Sequence, residues 1–273
     1  MKKVLSLSFL VILISSCSDY RRVLRGDDYQ LKFELSNNLY DKSEFDRCII
    51  LFEQFYQHSP KSTEGELSYF RLANSYFKNE DYNMAGYYFN NFVERFPYSK
   101  KIEDASFLVA LCSVNNSPKY ALDQNETILA INKVQQFVDV FPQSVLVDSC
   151  NKIIDRLKFK LELKDFDAVK LYSKTENYKA AVTSCEIFMD KYINSRFTEE
   201  VNFLYVKNSV FLAKNSIENK KEERIEQSKE RFLNFVKNYE KSIYFKELNN
   251  IIPIGNIILK RTNCYFCNQI SSF

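Results

Sequence analysis

The sequence is poor in the residues that punctuate a chain. Its 273 residues include 4 glycines and 5 prolines. That is too few for the many turns of sandwiches and barrels, or for the glycine-rich loops of Rossmann-type folds. There is no tryptophan and a single histidine, His58. A multi-histidine metal site is therefore excluded, and a Ser-His or Cys-His pair could use only His58. No phosphate loop, G-x-S-x-G or H-E-x-x-H string occurs. Adjacent acids such as Asp27-Asp28 and Glu199-Glu200 do not face each other on a helix. No catalytic residue, no metal site and no cofactor is expected. A dominant charge is also lacking. Lysine and arginine number 38 against 35 acids, and losing Lys2 and Lys3 with the leader leaves 36 against 35, or +1. Nothing in that balance favours nucleic acid. The longest charged run, Lys-Lys-Glu-Glu-Arg at 220–224, mixes signs. What is present is 45% hydrophobic sequence in long polar–apolar runs, enough to bury a core in helices joined by short loops.

The N-terminus reads as an export signal. Lys2 and Lys3 form a basic start, and an apolar stretch of 11 residues follows from Val4 to Ile14. A spanning helix needs about 20 residues, so this is a cleaved signal and not an anchor. Ile14-Ser15-Ser16-Cys17 then resembles a bacterial lipobox, which implies acylation of Cys17 after cleavage before it. Several acyl chains hold a protein stably at a membrane where one does not. Ser18 directly after the cysteine is compatible with sorting to the outer membrane.

The body repeats. Five segments share a frame on a phenylalanine, at Phe55, Phe92, Phe137, Phe188 and Phe235, with spacings of 37, 45, 51 and 47 residues. Seven residues earlier stands a small residue: Cys48, Ala85, Ala130, Ala181 or Ser228. Three residues earlier stands Phe52, Phe89, Val134, Cys185 or Phe232, and seven residues later a serine always recurs. These offsets describe one face of a helix followed by a stop. The shortest spacing and the Tyr69, Leu72, Ala73, Tyr76, Ala85, Phe89, Pro97 pattern fit the 34-residue tetratricopeptide repeat. The expected fold is all-α: a tetratricopeptide-like repeat solenoid of about five helix-turn-helix repeats. Insertions fall near 115–125 and 215–223. The expected organisation is a signal peptide at 1–16, a lipidated tether at 17–27, repeats over 28–245, and a C-terminal helix or frayed tail at 246–273.

An acylated cysteine followed by such repeats resembles the BamD family, the outer-membrane assembly lipoproteins also called the competence lipoprotein family. The residues that carry the resemblance include Tyr20, Val23 and Leu24, then Asp28-Tyr29 with Lys32-Phe33, and the Tyr82, Ala85, Tyr87-Tyr88-Phe89, Asn91-Phe92-Val93 string. Ser117-Pro118, Leu122-Asp123-Gln124, Leu171-Tyr172, Asn177-Tyr178 and Asn215-Ser216 extend it, with the Bacteroidetes branch the nearest. The departures are the missing prolines at Ile193 and Glu240. The resemblance implies a scaffold on the periplasmic face of the outer membrane. Its partners would be the periplasmic domains of the barrel-assembly channel protein and unfolded outer-membrane protein precursors, with the membrane reached through the lipid at Cys17. The alternative is another repeat lipoprotein that coordinates cell-wall enzymes or binds glycans.

In tetratricopeptide repeats, certain first-helix positions line a peptide groove. On this register they are Phe33, Asn37 and Tyr40 in repeat 1, and Phe70, Asn74 and Phe77 in repeat 2, with Arg71 beside them. Paired asparagines can hydrogen-bond an extended backbone, and an arginine can take a carboxylate. The aromatics suit the solenoid interior equally well. Of the seven cysteines, Cys48 and Cys185 fall on the packed face, where a small buried hydrophobe is expected. Cys264 and Cys267 form a C-x-x-C near the terminus, read as incidental or as a local disulfide.

Overall fold

A computed structural model describes residues 19–252. Cys17 and the pair Cys264 and Cys267 lie outside the described residues. The described residues form twelve α-helices and no strand: α1 (19–25), α2 (Tyr29–Asp41), α3 (Phe45–His58), α4 (Thr63–Lys78), α5 (Tyr82–Arg95), α6 (Ile102–Asn116), α7 (Asn125–Val140), α8 (Val147–Lys174), α9 (Tyr178–Lys191), α10 (Thr198–Lys214), α11 (Glu218–Asn238) and α12 (Phe245–Ile251). None of these is long and apolar enough to cross a membrane. The chain divides into two compact units, with the boundary between Lys158 and Phe159, inside α8. Each unit is built from antiparallel helical hairpins of the tetratricopeptide type, about five in all.

The repeated phenylalanine organises both units. Phe55, Phe92, Phe137, Phe188 and Phe235 each lie in the second helix of a hairpin, and all five are buried. The residues seven and three positions before them are buried in every repeat. Those offsets span about two turns, so they form one inward stripe. Four residues after each phenylalanine the helix stops. Ser59, Phe96, Phe141, Tyr192 and Tyr239 leave it with φ between −122° and −135° and ψ between 56° and 65°. Each of their N–H groups donates to the carbonyl of that phenylalanine. The stop is alike where proline follows and where Ile193 or Glu240 stands instead, so it does not depend on proline.

The recurrent serine makes the next turn. The Ser99, Ser144, Ser195 and Ser242 hydroxyls each accept the N–H two residues on, which bends the chain toward the next repeat. Three of these hydroxyls also donate across their own hairpin: Ser99 to Glu66, Ser144 to Glu103 and Ser195 to Glu162, at 2.5, 2.6 and 2.5 Å. The first turn is the exception. There Ser62 caps α4 by accepting the Gly65 N–H at 2.9 Å.

In the first unit, α1 packs Val23 with Leu39, Cys48, Leu51 and Phe52. Next come Tyr69, Phe70, Ala73, Ala85, Phe89 and Phe92, then Ala110, Val134, Phe137, Cys150 and Ile154. Residues 19–25, read from sequence as tether, are thus helical and contribute to a core. In the second unit Phe166, Val169, Cys185, Phe188, Val201, Phe232, Phe235 and Leu248 share one cluster. The two insertions differ in kind. The first is a loop at 117–124. The second lies where α11 begins, and that helix runs to 21 residues against 14 for α9.

With so little glycine, three hairpin turns place other residues in the left-handed region: Ser43 at φ 61°, Glu80 at φ 61° and Glu176 at φ 58°. A side chain there costs roughly 1–2 kcal/mol, part of which glycine returns through its freer unfolded chain. Glu80→Gly is therefore expected to stabilise the protein by roughly 0.5 kcal/mol or slightly more. A urea midpoint that stays put or falls would show that the Glu80 turn is unstrained.

Candidate peptide-binding face

α2 and α4 are the first helices of neighbouring hairpins, and they carry the seven residues read as groove-lining. α2 begins where Asp28 accepts the Leu31 N–H at 2.9 Å, and α4 begins at Ser62.

Arg71 on α4 reaches α2. Its guanidinium donates to Asn37 Oδ1 at 2.6 Å, approaches Asp41 at 3.9 Å and lies over the Tyr40 ring at 4.9 Å. Asn37, Tyr40 and Arg71 thus form one cluster, with Arg71 retaining 27% side-chain exposure. Burial pushes the Tyr40 hydroxyl above its ordinary range, while Arg71 draws it back. Phe33 stands beside them, half-buried, with its ring 4.8 Å from Phe55.

The other residues are placed differently. Phe70 is buried, edge-on to Phe89 and Phe92 at 5.6 and 5.4 Å, with the Lys101 ammonium 4.9 Å from its ring. It fills the core and offers no free face. Phe77 is half-buried against Tyr82 at 5.4 Å. Asn74 is half-buried on α4. The arrangement is therefore an arginine–asparagine–tyrosine corner with Phe33 at its edge, not a symmetric ladder of two asparagines. Asn37 Oδ1 is already engaged by Arg71, so its amide N–H groups are what it can give a ligand. The guanidinium keeps further N–H donors for a carboxylate.

A second concavity was not anticipated from the sequence. Between α5 and α6, a groove of about 420 Å³ is lined by Asn83, Tyr87, Asn90, Asn91 and Asn116 with Lys133, and by no carboxylate. Asn116 donates to Asn83 Oδ1 at 2.9 Å. The signal was legible as Asn83, Tyr87 and Asn90 at i, i+4 and i+7, which share one helix face. Such a groove offers carboxamides and one ammonium to a polar ligand.

The four described thiols are not activated. Cys48, Cys112, Cys150 and Cys185 are free and buried. Burial pushes all four upward, Cys112 and Cys185 to about 12, so none is a nucleophile near neutral pH. Among the described residues no cluster of histidine, cysteine and acids could hold a metal.

Known proteins offer three points of likeness. A family model described as an outer membrane lipoprotein, YfiO, matches residues 29–201. Two crystal structures of nearly identical TPR-like repeats from a Podosopora anserina protein described as a putative kinesin light chain, one of them a point variant, are similar. Each is 12% identical and covers 78% of this chain, with 96% and 97% of their own length matched and TM-scores of 0.33 and 0.32. No curated protein matches significantly.

Proposed function

The chain belongs to the YfiO family of outer membrane lipoproteins, which is the BamD-like family, and from that membership we propose that it is a scaffold of outer-membrane β-barrel assembly. In this role it sits on the periplasmic face of the outer membrane, anchored by acyl chains on Cys17. It binds the periplasmic domains of the barrel-assembly channel protein and helps receive unfolded barrel precursors. The observation that carries the reading is the family match over 29–201, which takes in the first four hairpins and the start of α10. The role requires surfaces and no catalytic step. The Arg71, Asn37 and Tyr40 corner supplies what an extended precursor end needs: a cation for a terminal carboxylate, an amide for its backbone and aromatic rings for its apolar side chains.

The test is co-purification from detergent-solubilised envelope. The acylated chain is expected to bring down the channel protein, and Cys17→Ser is expected to leave the outer-membrane fraction and lose labelled palmitate. Absence of the channel protein from the eluate would overturn the scaffold reading. Label entering Cys17→Ser as well as the parent would overturn the anchor.

Reception of precursors has its own test. Asn37→Ala combined with Asn74→Ala is expected to weaken binding of a peptide copying a barrel's last strand by about tenfold, the scale of one or two lost hydrogen bonds. Folding and channel-protein binding should be unaffected. Unchanged peptide affinity would remove the two asparagines from reception, and unchanged affinity in Arg71→Ala as well would move it away from the first two hairpins.

A second reading, a lipoprotein that binds glycans, draws on the carboxamide-lined groove between α5 and α6. Retention on an oligosaccharide array without channel-protein capture would favour it.

A further inference from the structure

In the first unit the helices alternate in direction, so the hairpin turns collect along one edge and the connections between hairpins along the other. Side-chain contacts trace that first edge from end to end. Tyr20, at the start of α1, donates to the Arg47 carbonyl at 3.1 Å and lies under the Arg47 guanidinium at 4.3 Å. Beside Arg47, Asp46 accepts from Asn79 in the next turn at 2.6 Å. Past that turn, Asn83 accepts from Asn116 at the end of α6. The loop 117–124 follows directly. The first described residue, Asp19, therefore sits on the same edge as this loop, and Cys17 is two residues before it.

The loop differs from the other two turns on that edge. It has eight residues, 117–124, where α2 and α3 are joined by 42–44 and α4 and α5 by 79–81. Those short turns carry Lys42, Glu44, Glu80 and Asp81, whereas the long one exposes Tyr120 at 38% and Leu122 at 59% between Lys119 and Asp123, the latter held by the Asn125 N–H at 2.9 Å. Leu129, in the second turn of α7, is 52% exposed. Three of the loop's carbonyls are meanwhile satisfied from inside. Gln124, only 6% exposed, donates its amide to the carbonyls of Lys119 at 2.9 Å, Tyr120 at 3.3 Å and Leu122 at 2.9 Å. Thr127 in turn donates to Gln124 Oε1 at 2.7 Å, which fixes the amide's orientation. With these carbonyls paired from inside, the loop can shed part of its water against a bilayer surface at less cost.

We propose that the loop 117–124 is a second membrane contact, with Tyr120 and Leu122 entering the boundary between headgroups and acyl chains and Lys119 facing the phosphates. The occupant is a phospholipid surface. The tyrosine–lysine pairing suits such a boundary, where an amphipathic ring and a long cationic stem each keep their polar end wet. The inference rests on the acyl anchor at Cys17, which brings this edge to the bilayer. Anchor and loop together hold the first unit at two points. Its opposite edge, with Tyr98 at 98% and Val145 at 93% exposure, is left facing away from the membrane.

The absence of tryptophan makes this directly measurable. Leu122→Trp and, separately, Tyr120→Trp in the acylated full chain give single-tryptophan reporters, and Val145→Trp reports the opposite edge. α7 alone separates the edges by about 24 Å at 1.5 Å per residue. The proteins are reconstituted into phosphatidylethanolamine–phosphatidylglycerol vesicles containing a shallow nitroxide lipid, and flotation is scored in parallel. Expected are blue-shifted emission at positions 120 and 122 and quenching roughly twofold or more above that at 145. Flotation with equal quenching at all three positions would overturn the loop contact and leave the anchor standing. Failure to float would remove the anchor and the loop contact together.

Discussion

Gly65→Ala is expected to cost about 2–3 kcal/mol and to lower the melting temperature of the first unit by roughly 5–10 °C. Propensity alone gives the opposite sign, because alanine inside a helix is favoured over glycine by about 0.5–1 kcal/mol. Sterics decide the matter. A Cβ on Gly65 would lie 2.0 Å from the Ser59 carbonyl oxygen and 3.1 Å from both its carbon and the Ser62 hydroxyl. The Ser59 carbonyl is backbone and cannot swing aside. It already accepts from the Ser62 N–H at 3.3 Å and the Ser62 hydroxyl at 2.9 Å, so moving it loosens the cap of α4 as well. Gly86→Ala is the internal control. Its Cβ would meet only the Cys112 Cβ, at 3.4 Å, an ordinary contact, so that change should be neutral or stabilising. If both variants melt alike, the close approach at the first inter-hairpin turn is not what holds it. The same position in the later turns carries Ile102, Val147, Thr198 and Phe245, where the serine bonds differently and room exists for a side chain.

That contrast marks what the sequence could and could not tell. The five phenylalanines with their small partners were legible because a helix face repeats its burial every three or four residues, and each repeat buries the same face. Turn chemistry was less legible. The left-handed residues Ser43, Glu80 and Glu176 are not the glycines that would have signalled them. The 28-residue run of α8 contains no glycine or proline to show that two units meet within it. In the candidate site, residue types were readable and pairings were not. Phe70 and Phe33 occupy first helices alike, yet Phe89 and Phe92 enclose Phe70 while Phe33 keeps an open side. That Arg71 would spend its first hydrogen bond on Asn37, 34 residues away, depends on how two hairpins stack. Gln124 illustrates the same limit: a loop glutamine looks solvated until the loop closes around it.

Ala85→Leu is expected to destabilise by about 1–3 kcal/mol, because the site has no spare volume. Ala85 is wholly inaccessible, as is Ala73 on the facing helix α4, and Phe89 and Phe92 pack in the same cluster. Two alanines let α4 and α5 approach closely, and the phenylalanines occupy the space on either side. Three added carbons can be accommodated only by parting the helices or by driving Phe89 off its rotamer. Both responses reach the next hairpin, since Ala105 and Cys112 on α6 pack in this cluster too. The loss should therefore appear in hydrogen exchange at α6 as well as at α4 and α5. Ala181→Leu repeats the experiment in the second unit, where Ala181 is equally inaccessible and Cys185 and Phe188 take the places of Phe89 and Phe92. A melting temperature unchanged by Ala85→Leu would mean that the seven-residue offset between the small residue and the phenylalanine does not mark the hairpin seam. A loss confined to α5 would mean that neighbouring hairpins are not energetically coupled.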